Sequence, residues 1–115
     1  MTTPSKRKGN NYEREVVKAA SSYGLEAKRA YASNGQALGE SEQVDVKIEN
    51  FRIQCKRRKK IADFLQIPEG ADAVLFREDK GNTLVLITFE QLLKLLHQRK
   101  YGHLPKRKKK DIQPK

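Results

Sequence analysis

Cysteine is almost absent from this chain, since Cys55 is the only one among its 115 residues. A single cysteine excludes an internal disulfide bond, and it also excludes a zinc site built from several cysteines. Cys55 falls on the apolar side of a predicted strand, which favours a small buried core residue over a reactive thiol.

Long apolar runs are missing as well, and no stretch approaches the roughly 20 residues that a membrane-spanning helix needs. The basic segment at residues 5–8 is not followed by the apolar region of a signal peptide. We therefore expect an intracellular, cytoplasmic protein.

Acidic residues are scarce beside basic ones, with 14 Asp and Glu against 25 Lys and Arg and a formal net charge of +11. Such an excess predicts a polyanionic partner, most simply nucleic acid. An anionic membrane surface is the alternative, and no apolar anchor accompanies the charge. The length of 115 residues is enough for one small domain.

Two short runs of alternating apolar residues, at 44–48 and 51–55, predict a β-hairpin. A two-residue turn at Glu49 and Asn50 would connect them, with Asn50 supplying the left-handed backbone conformation. The apolar pairs would then be Ile48 with Phe51, Val46 with Ile53, and Val44 with Cys55. A slip of one residue would bury charged side chains, so the apolar pattern fixes this register.

The same register gathers three polar side chains on one face of the hairpin. Asp45 is predicted to lie directly opposite Gln54, with Cβ atoms roughly 5 Å apart, and Lys56 lies beside them. Carboxylate and amide oxygens suit Mg²⁺ or Mn²⁺. An ammonium group suits an attacking water or the charge that develops on a phosphoryl group. A solvated charged face is the ordinary alternative for such a pattern taken alone.

The remaining pattern predicts the element order α-β-β-β-α-β-β-α. A helix would start at Asn10 or Asn11 and end at Gly24, and a second long helix would run from a capping box at Thr88 and Gln91 to about Lys100. The other expected elements are a strand within 25–31, a short helix or turn at 61–66, and strands at 73–76 and 83–87. Apolar residues expected to be buried by the last helix are Phe89, Leu92, Leu93, Leu95 and Leu96.

This order indicates an α/β fold, namely a single small domain with a central mixed β-sheet flanked by helices. Residues 1–9 are expected to form a basic flexible arm, 10–100 the domain, and 101–115 a basic, disordered tail.

Four stretches, taken in order, resemble the archaeal-type Holliday junction resolvases of the PD-(D/E)xK nuclease superfamily, a family with phage-encoded members. They are Lys-Arg-Lys-Gly-Asn-Asn-Tyr-Glu-Arg-Glu at 6–15, Arg-Ala-Tyr-Ala-Ser-Asn-Gly at 29–35, Val-Asp-Val at 44–46 and Ile-Gln-Cys-Lys at 53–56. The resemblance is good over roughly residues 6–60, and beyond them it rests on element order alone.

The resemblance implies roles for individual residues. The implied catalytic residues are Glu13, Ser33, Asp45, Gln54 and Lys56. The implied ligands of Mg²⁺, with Mn²⁺ able to substitute, are Glu13, Asp45, Gln54 and the carbonyl of Cys55. The residues expected to bind the DNA backbone are Lys6, Arg7, Lys8, Arg29, Arg57 and Arg58. Glu15 is the alternative to Glu13 as the helical glutamate.

The chain departs from the family pattern at two positions. Val44 replaces a proline that is not a ligand, so this change is tolerable. Gln54 replaces a glutamate, and its amide oxygen can bind a hard cation without contributing negative charge. Metal binding should then be weaker, unless Glu13 supplies the charge, and loss of activity is the other interpretation.

Together these features predict a metal-dependent, structure-specific endodeoxyribonuclease that resolves four-way DNA junctions in recombination and repair by symmetric phosphodiester hydrolysis. A homodimer is expected, because two matched cuts need two opposed sites. Its interface is expected on apolar residues of the late strands and the C-terminal helix, such as Phe76, Leu84, Leu93 and Leu96. Core packing alone is the alternative for each of these residues. The alternatives are a sequence- or flap-specific nuclease of the same fold and a non-catalytic DNA-binding module.

Overall fold

The computed structural model describes residues 3–30 and 43–106, apart from the side chains of Ser5 and Lys6. Two helices and five strands lie in these ranges. They are α1 Pro4–Ser22, β1 Ala27–Arg29, β2 Val46–Ile48, β3 Phe51–Ile53, β4 Val74–Phe76, β5 Leu84–Leu86 and α2 Phe89–Tyr101. The chain forms two compact units, the first unit of residues 1–58 and the second unit of residues 59–115.

Helix α1 begins at Pro4, so the predicted start at Asn10 or Asn11 was wrong. Proline is favoured at a first helical position, because its fixed φ suits the helix and its missing N–H would have no partner there. The Arg7 N–H donates to the Thr3 carbonyl at 2.9 Å, which makes Thr3 the residue that precedes the helix.

The C-terminal end of α1 is the predicted one. Gly24 adopts a left-handed conformation, with φ of 71°. Its N–H donates to the Ser21 carbonyl at 2.9 Å, and the Leu25 N–H donates to the Ala20 carbonyl at 3.2 Å. This pair of bonds is a Schellman motif, which satisfies carbonyls that the helix leaves open.

A three-stranded antiparallel sheet in the order β1-β2-β3 packs against α1 in the first unit. The predicted register of the hairpin is confirmed, since Ile48 pairs with Phe51 and Val46 pairs with Ile53. The buried apolar residues of this unit are Val16, Ala20, Leu25, Ala30, Val44, Val46 and Ile48. Full burial of side chains such as Val46 and Ile48 stabilises the fold by about 1.5–3 kcal/mol each.

The turn between β2 and β3 occupies Glu49 and Asn50 as predicted, but its left-handed residue is Glu49, with φ of 54°. Asn50 was expected to take this role. The neighbouring strand explains the difference: the Glu49 N–H donates to the Glu26 carbonyl at 2.7 Å, and the Glu49 carboxylate accepts the Glu26 N–H. These bonds offset the strain of a non-glycine residue in this conformation.

The regular pairing of the hairpin ends at Val46 and Ile53. The Asp45 N–H also donates to the Ile53 carbonyl, at 2.9 Å. Two residues, Asp45 and Val46, therefore oppose Ile53, which is the arrangement of a β-bulge. The prediction that Asp45 lies directly opposite Gln54 was wrong, because a bulge shifts the pairing that follows it.

In the second unit, β4 and β5 form a two-stranded antiparallel sheet. Thr88 caps α2 as predicted, and its hydroxyl oxygen accepts the Gln91 N–H at 3.2 Å. Residues 61–66 form a turn and no helix. Leu93 and Leu96 are buried, but Leu95 is 47 % exposed, so its predicted burial was wrong.

Within the described residues the strands form two separate antiparallel sheets, so the predicted central mixed sheet was wrong. Each strand is three residues long and pairs with a strand adjacent in the described sequence, as expected for short antiparallel connections. The α/β class itself is confirmed. No helix in the described part of the chain is long and apolar enough to cross a membrane.

Candidate active site

Glu13 lies on the inner face of α1, together with Val16 and Ala20. The spacing of three and four residues places all three on one side of the helix. Glu13 is 3 % exposed, whereas Glu15 is exposed. The structure therefore distinguishes the two glutamates, and Glu13 is the one held inside the first unit.

Arg29, at the end of β1, forms an ion pair with Glu13. Its Nη1 atom lies 3.6 Å from Glu13 Oε1, and the two side chains are 20 % and 4 % exposed. An ionised carboxylate at such depth needs a partner charge. The structure thus gives Arg29 a structural role, and the expected contact of Arg29 with DNA stays a prediction.

Asp45 is held by three hydrogen bonds at the open end of the hairpin. Its N–H donates to the Ile53 carbonyl, and its own carbonyl accepts the Ala30 N–H, both at 2.9 Å. Its carboxylate Oδ2 accepts the Cys55 N–H at 2.8 Å. The side chain is therefore oriented by the backbone of the residue before Lys56.

Burial and the negative charges of two carboxylates raise the pKa of the Cys55 thiol. Its pKa is raised from 9.0 to about 11, first by burial, then by the negative charge of Asp45 and then by that of Glu13. Both charges must lie close enough to act on one sulfur atom. Cys55 is half-buried, and the predicted core position is favoured over a reactive thiol, because its thiolate is disfavoured.

Gln54 and Lys56 flank Cys55, and both are exposed. Gln54 Nε2 donates to Gln43 Oε1 at 2.7 Å, so the Gln54 amide is held by the residue two positions before Asp45. The amide oxygen of Gln54 keeps its capacity to accept or to bind a cation. Arg57 and Arg58 follow Lys56 in sequence, and both are exposed as well.

The donor chemistry of this centre fits a hard divalent cation. Glu13 and Asp45 provide carboxylate oxygens, and Gln54 and the Cys55 carbonyl provide neutral oxygens. No group of three or more His, Cys, Asp or Glu side chains suited to a metal occurs among residues 3–30 and 43–106.

The structure describes only some of the remaining predicted site residues. Arg7 is exposed and Lys8 is half-buried on the first turns of α1. Ser33 and the side chain of Lys6 lie outside the described residues. The DNA contacts of Lys6, Arg7 and Lys8 stay predictions.

Sequence reasoning missed two contacts that shape the centre. One is the Glu13–Arg29 ion pair, and the other is the bond from the Cys55 N–H to the Asp45 carboxylate. Glu13 and Arg29 stand on different elements, and no spacing rule links a helix to the strand that follows it. The second contact depends on the bulge, for which the pattern of residues 43–56 contains no glycine signal.

These features define a small α/β protein with two carboxylates in its first unit and basic side chains beside them. A model of the archaeal Holliday junction resolvase family (Hjc) matches residues 4–106. No match was found among curated proteins or among solved structures. The match spans most of the chain, which therefore belongs to the archaeal Holliday junction resolvase family.

Proposed function

We propose that this protein is a metal-dependent endodeoxyribonuclease that cuts four-way DNA junctions symmetrically. Family membership over residues 4–106 supports the class of activity. The single structural observation that carries the proposal is the Asp45 carboxylate, whose Oδ2 accepts the Cys55 N–H at 2.8 Å, directly before Lys56. Two carboxylates held near one backbone segment, directly before an exposed lysine, are the parts that phosphodiester hydrolysis needs.

Glu13, Asp45, Gln54 and the Cys55 carbonyl would hold Mg²⁺, for which Mn²⁺ could substitute. When bound, a divalent cation lowers the pKa of a coordinated water and polarises a phosphate. The protein contributes orientation, because the Asp45 carboxylate is already fixed by the Cys55 N–H. A ligand held in this way does not have to be ordered when the cation or the substrate arrives.

Lys56 would act on the reacting phosphate. As an ammonium, Lys56 would stabilise the negative charge that grows on the phosphoryl oxygens and orient the attacking water. As a neutral amine, it would instead accept a proton from that water. Arg7, Lys8, Arg57 and Arg58 would bind backbone phosphates, contacts that position a duplex without reading its sequence. The role expected for Ser33, close to the scissile phosphate, belongs to the same proposal.

The proposal is tested with three labelled substrates of matched sequence, namely a four-way junction, a flap and a linear duplex. We expect paired cuts in the junction with Mg²⁺ or Mn²⁺, none with a chelator, and little cutting of the duplex. Preferential cutting of the flap would mean that the protein is a flap nuclease and not a junction resolvase. Tight junction binding without cutting under any metal would make the protein a binding module.

We propose in addition that the active species is a homodimer, since symmetric resolution needs two opposed sites. Of the expected interface residues, Leu93 and Leu96 are buried, whereas Leu84 is 56 % exposed. Exposed apolar residues of the second unit include Leu75, Leu84 and Val85. Light scattering should give twice the mass of the chain, and Leu75→Glu with Val85→Lys should reduce it. A monomer that makes paired cuts would refute the dimer.

A further inference from the structure

The end of α2 brings together the two histidines of the chain, His97 and His103, called here the histidine pair. Gly102 ends the helix in a left-handed conformation, with φ of 81°, and its N–H donates to the Gln98 carbonyl at 2.8 Å. This reversal brings His103 back toward the last turns of the helix. The two imidazole rings lie with their centroids 5.4 Å apart.

Each ring of the histidine pair is anchored through Nδ1. His97 Nδ1 lies 3.0 Å from the His103 carbonyl oxygen, and His103 Nδ1 lies 2.7 Å from the Leu104 carbonyl oxygen. A carbonyl oxygen can only accept, so both Nδ1 atoms must donate. In the neutral rings the lone pair is then on Nε2. Histidines that bind metals are fixed in the same way, by donation of the other ring N–H to a carbonyl.

The spacing of the rings matches that of a chelate. A metal bound about 2.1 Å from Nε2 lies about 3.2 Å from the ring centroid, since it lies on the line through the centroid and Nε2. Two imidazoles at a tetrahedral angle then have centroids about 5.2 Å apart. The observed 5.4 Å is close to this value. The planes of the two rings are 66° apart.

Two local charges act in opposite directions on a cation near the histidine pair. The C-terminal end of a helix carries partial negative charge, which favours a cation there. The Lys100 ammonium group lies 5.5 Å from the centroid of the Tyr101 ring, which itself lies 4.6 Å from that of His97. Lys100 therefore weakens the attraction for a second cation near the histidine pair.

We propose that His97 and His103 chelate one divalent transition-metal ion through their Nε2 atoms, with water completing a tetrahedral shell. Zn²⁺ fits this site best, because it accepts imidazole ligands and a tetrahedral angle. The site is distinct in chemistry from the oxygen donors around Asp45, which suit Mg²⁺.

The test follows the imidazole signals of the full chain by NMR as ZnCl₂ is added. Since the chain has two histidines, both can be assigned by His97→Gln and His103→Gln. We expect both rings to respond with one shared midpoint at one ion per chain. Either variant should weaken zinc binding at least about tenfold in calorimetry, because a chelate loses half its ligands. MgCl₂ should move neither ring.

Two controls accompany the test. Lys100→Gln should strengthen zinc binding, and the two histidine variants should cut DNA with Mg²⁺ at the parent rate. Different midpoints for the two rings, or an unchanged His97 response in His103→Gln, would overturn the chelate. A zinc-dependent rise in mass by light scattering that is lost in both variants would also overturn it, since the ligands would then come from two copies.

Discussion

Arg29 Nη1 lies 3.6 Å from Glu13 Oε1, and this ion pair joins α1 to β1 inside the first unit. Removing one partner withdraws the counter-charge from a buried ionised group, which costs more than the pair itself contributes. We expect Arg29→Met to lower the free energy of unfolding by about 3 kcal/mol. Urea unfolding of the metal-free protein measures this loss.

The adjacent Lys28 is the matched control. Its Nζ lies 3.4 Å from Glu26 Oε1, but both side chains are about two-thirds exposed, at 65 % and 69 %. Lys28→Met should change the stability by less than about 0.5 kcal/mol. The double variant Arg29→Met with Glu13→Gln should be more stable than Arg29→Met alone. Additive losses in that double variant would mean that the two side chains do not interact.

Asp45→Asn should abolish cleavage while leaving the fold and junction binding nearly intact. The amide oxygen of asparagine can still accept the Cys55 N–H, but the charge that attracts a cation is gone. We expect a rate loss of at least 10²-fold, or about 3 kcal/mol, and a similar loss for Lys56→Ala. Asp63→Asn is the control, since that carboxylate is 85 % exposed and 3.7 Å from Lys60. Retained cleavage by Asp45→Asn would remove Asp45 from the site.

The raised pKa of Cys55 should appear in both reactivity and stability. The unfolded chain ionises near 9.0 and the folded chain near about 11, so the folded state prefers the protonated thiol. This preference contributes fully below pH 9 and is lost as the pH rises toward 11. Alkylation by iodoacetamide should therefore be much slower in the folded than in the unfolded protein at pH 8. Cys55→Ser should remove this part of the alkaline destabilisation.

Gln54→Glu should lower the Mg²⁺ concentration needed for half-maximal cleavage, because it adds a negative charge near Asp45. Repulsion between the carboxylates raises a carboxyl pKa when the metal is absent, so the gain should shrink at low pH. Gln54→Ala should raise the metal requirement or stop the reaction. If Gln54→Ala depends on Mg²⁺ and Mn²⁺ like the parent, Gln54 is not a ligand, and Glu15 or Glu42 is tested next.

Junction binding should fall steeply with salt. Five or six phosphate contacts per subunit would give a log–log slope of roughly −5, through release of counterions. Deleting residues 104–115, which carry six basic residues and one acidic residue, should flatten the slope and weaken binding to every DNA shape alike. Binding isotherms on junction and duplex at four salt concentrations measure both effects. A loss confined to the junction would give this segment a role in shape recognition.

The hairpin could be predicted because one register places its apolar residues on the same face. Val46 and Ile48 belong to that pattern, and both are fully buried. Asp45 was identified as a site residue for the same reason, since it adjoins the buried positions. Local patterns of this kind need no information from distant parts of the chain.

The positions that could not be predicted depend on contacts between elements. Glu49 takes the left-handed position because the backbone of Glu26 holds it there, and no turn preference anticipates that contact. Glu13 rather than Glu15 is buried, and this likewise depends on the ion pair that Glu13 forms with Arg29 at the end of β1. Propensity favoured Asn50 and left the two glutamates equal, and tertiary contacts decided both cases.

The bonds between Glu49 and Glu26 also bear on the order of folding. A two-stranded hairpin is at best marginally stable alone, and this one has a turn residue in a conformation that β1 must support. The hairpin therefore gains its full stability only when a segment 23 residues away in sequence docks beside it. We expect substitutions at Glu49 to slow folding more than they speed unfolding, because the loop must close before the hairpin is stable.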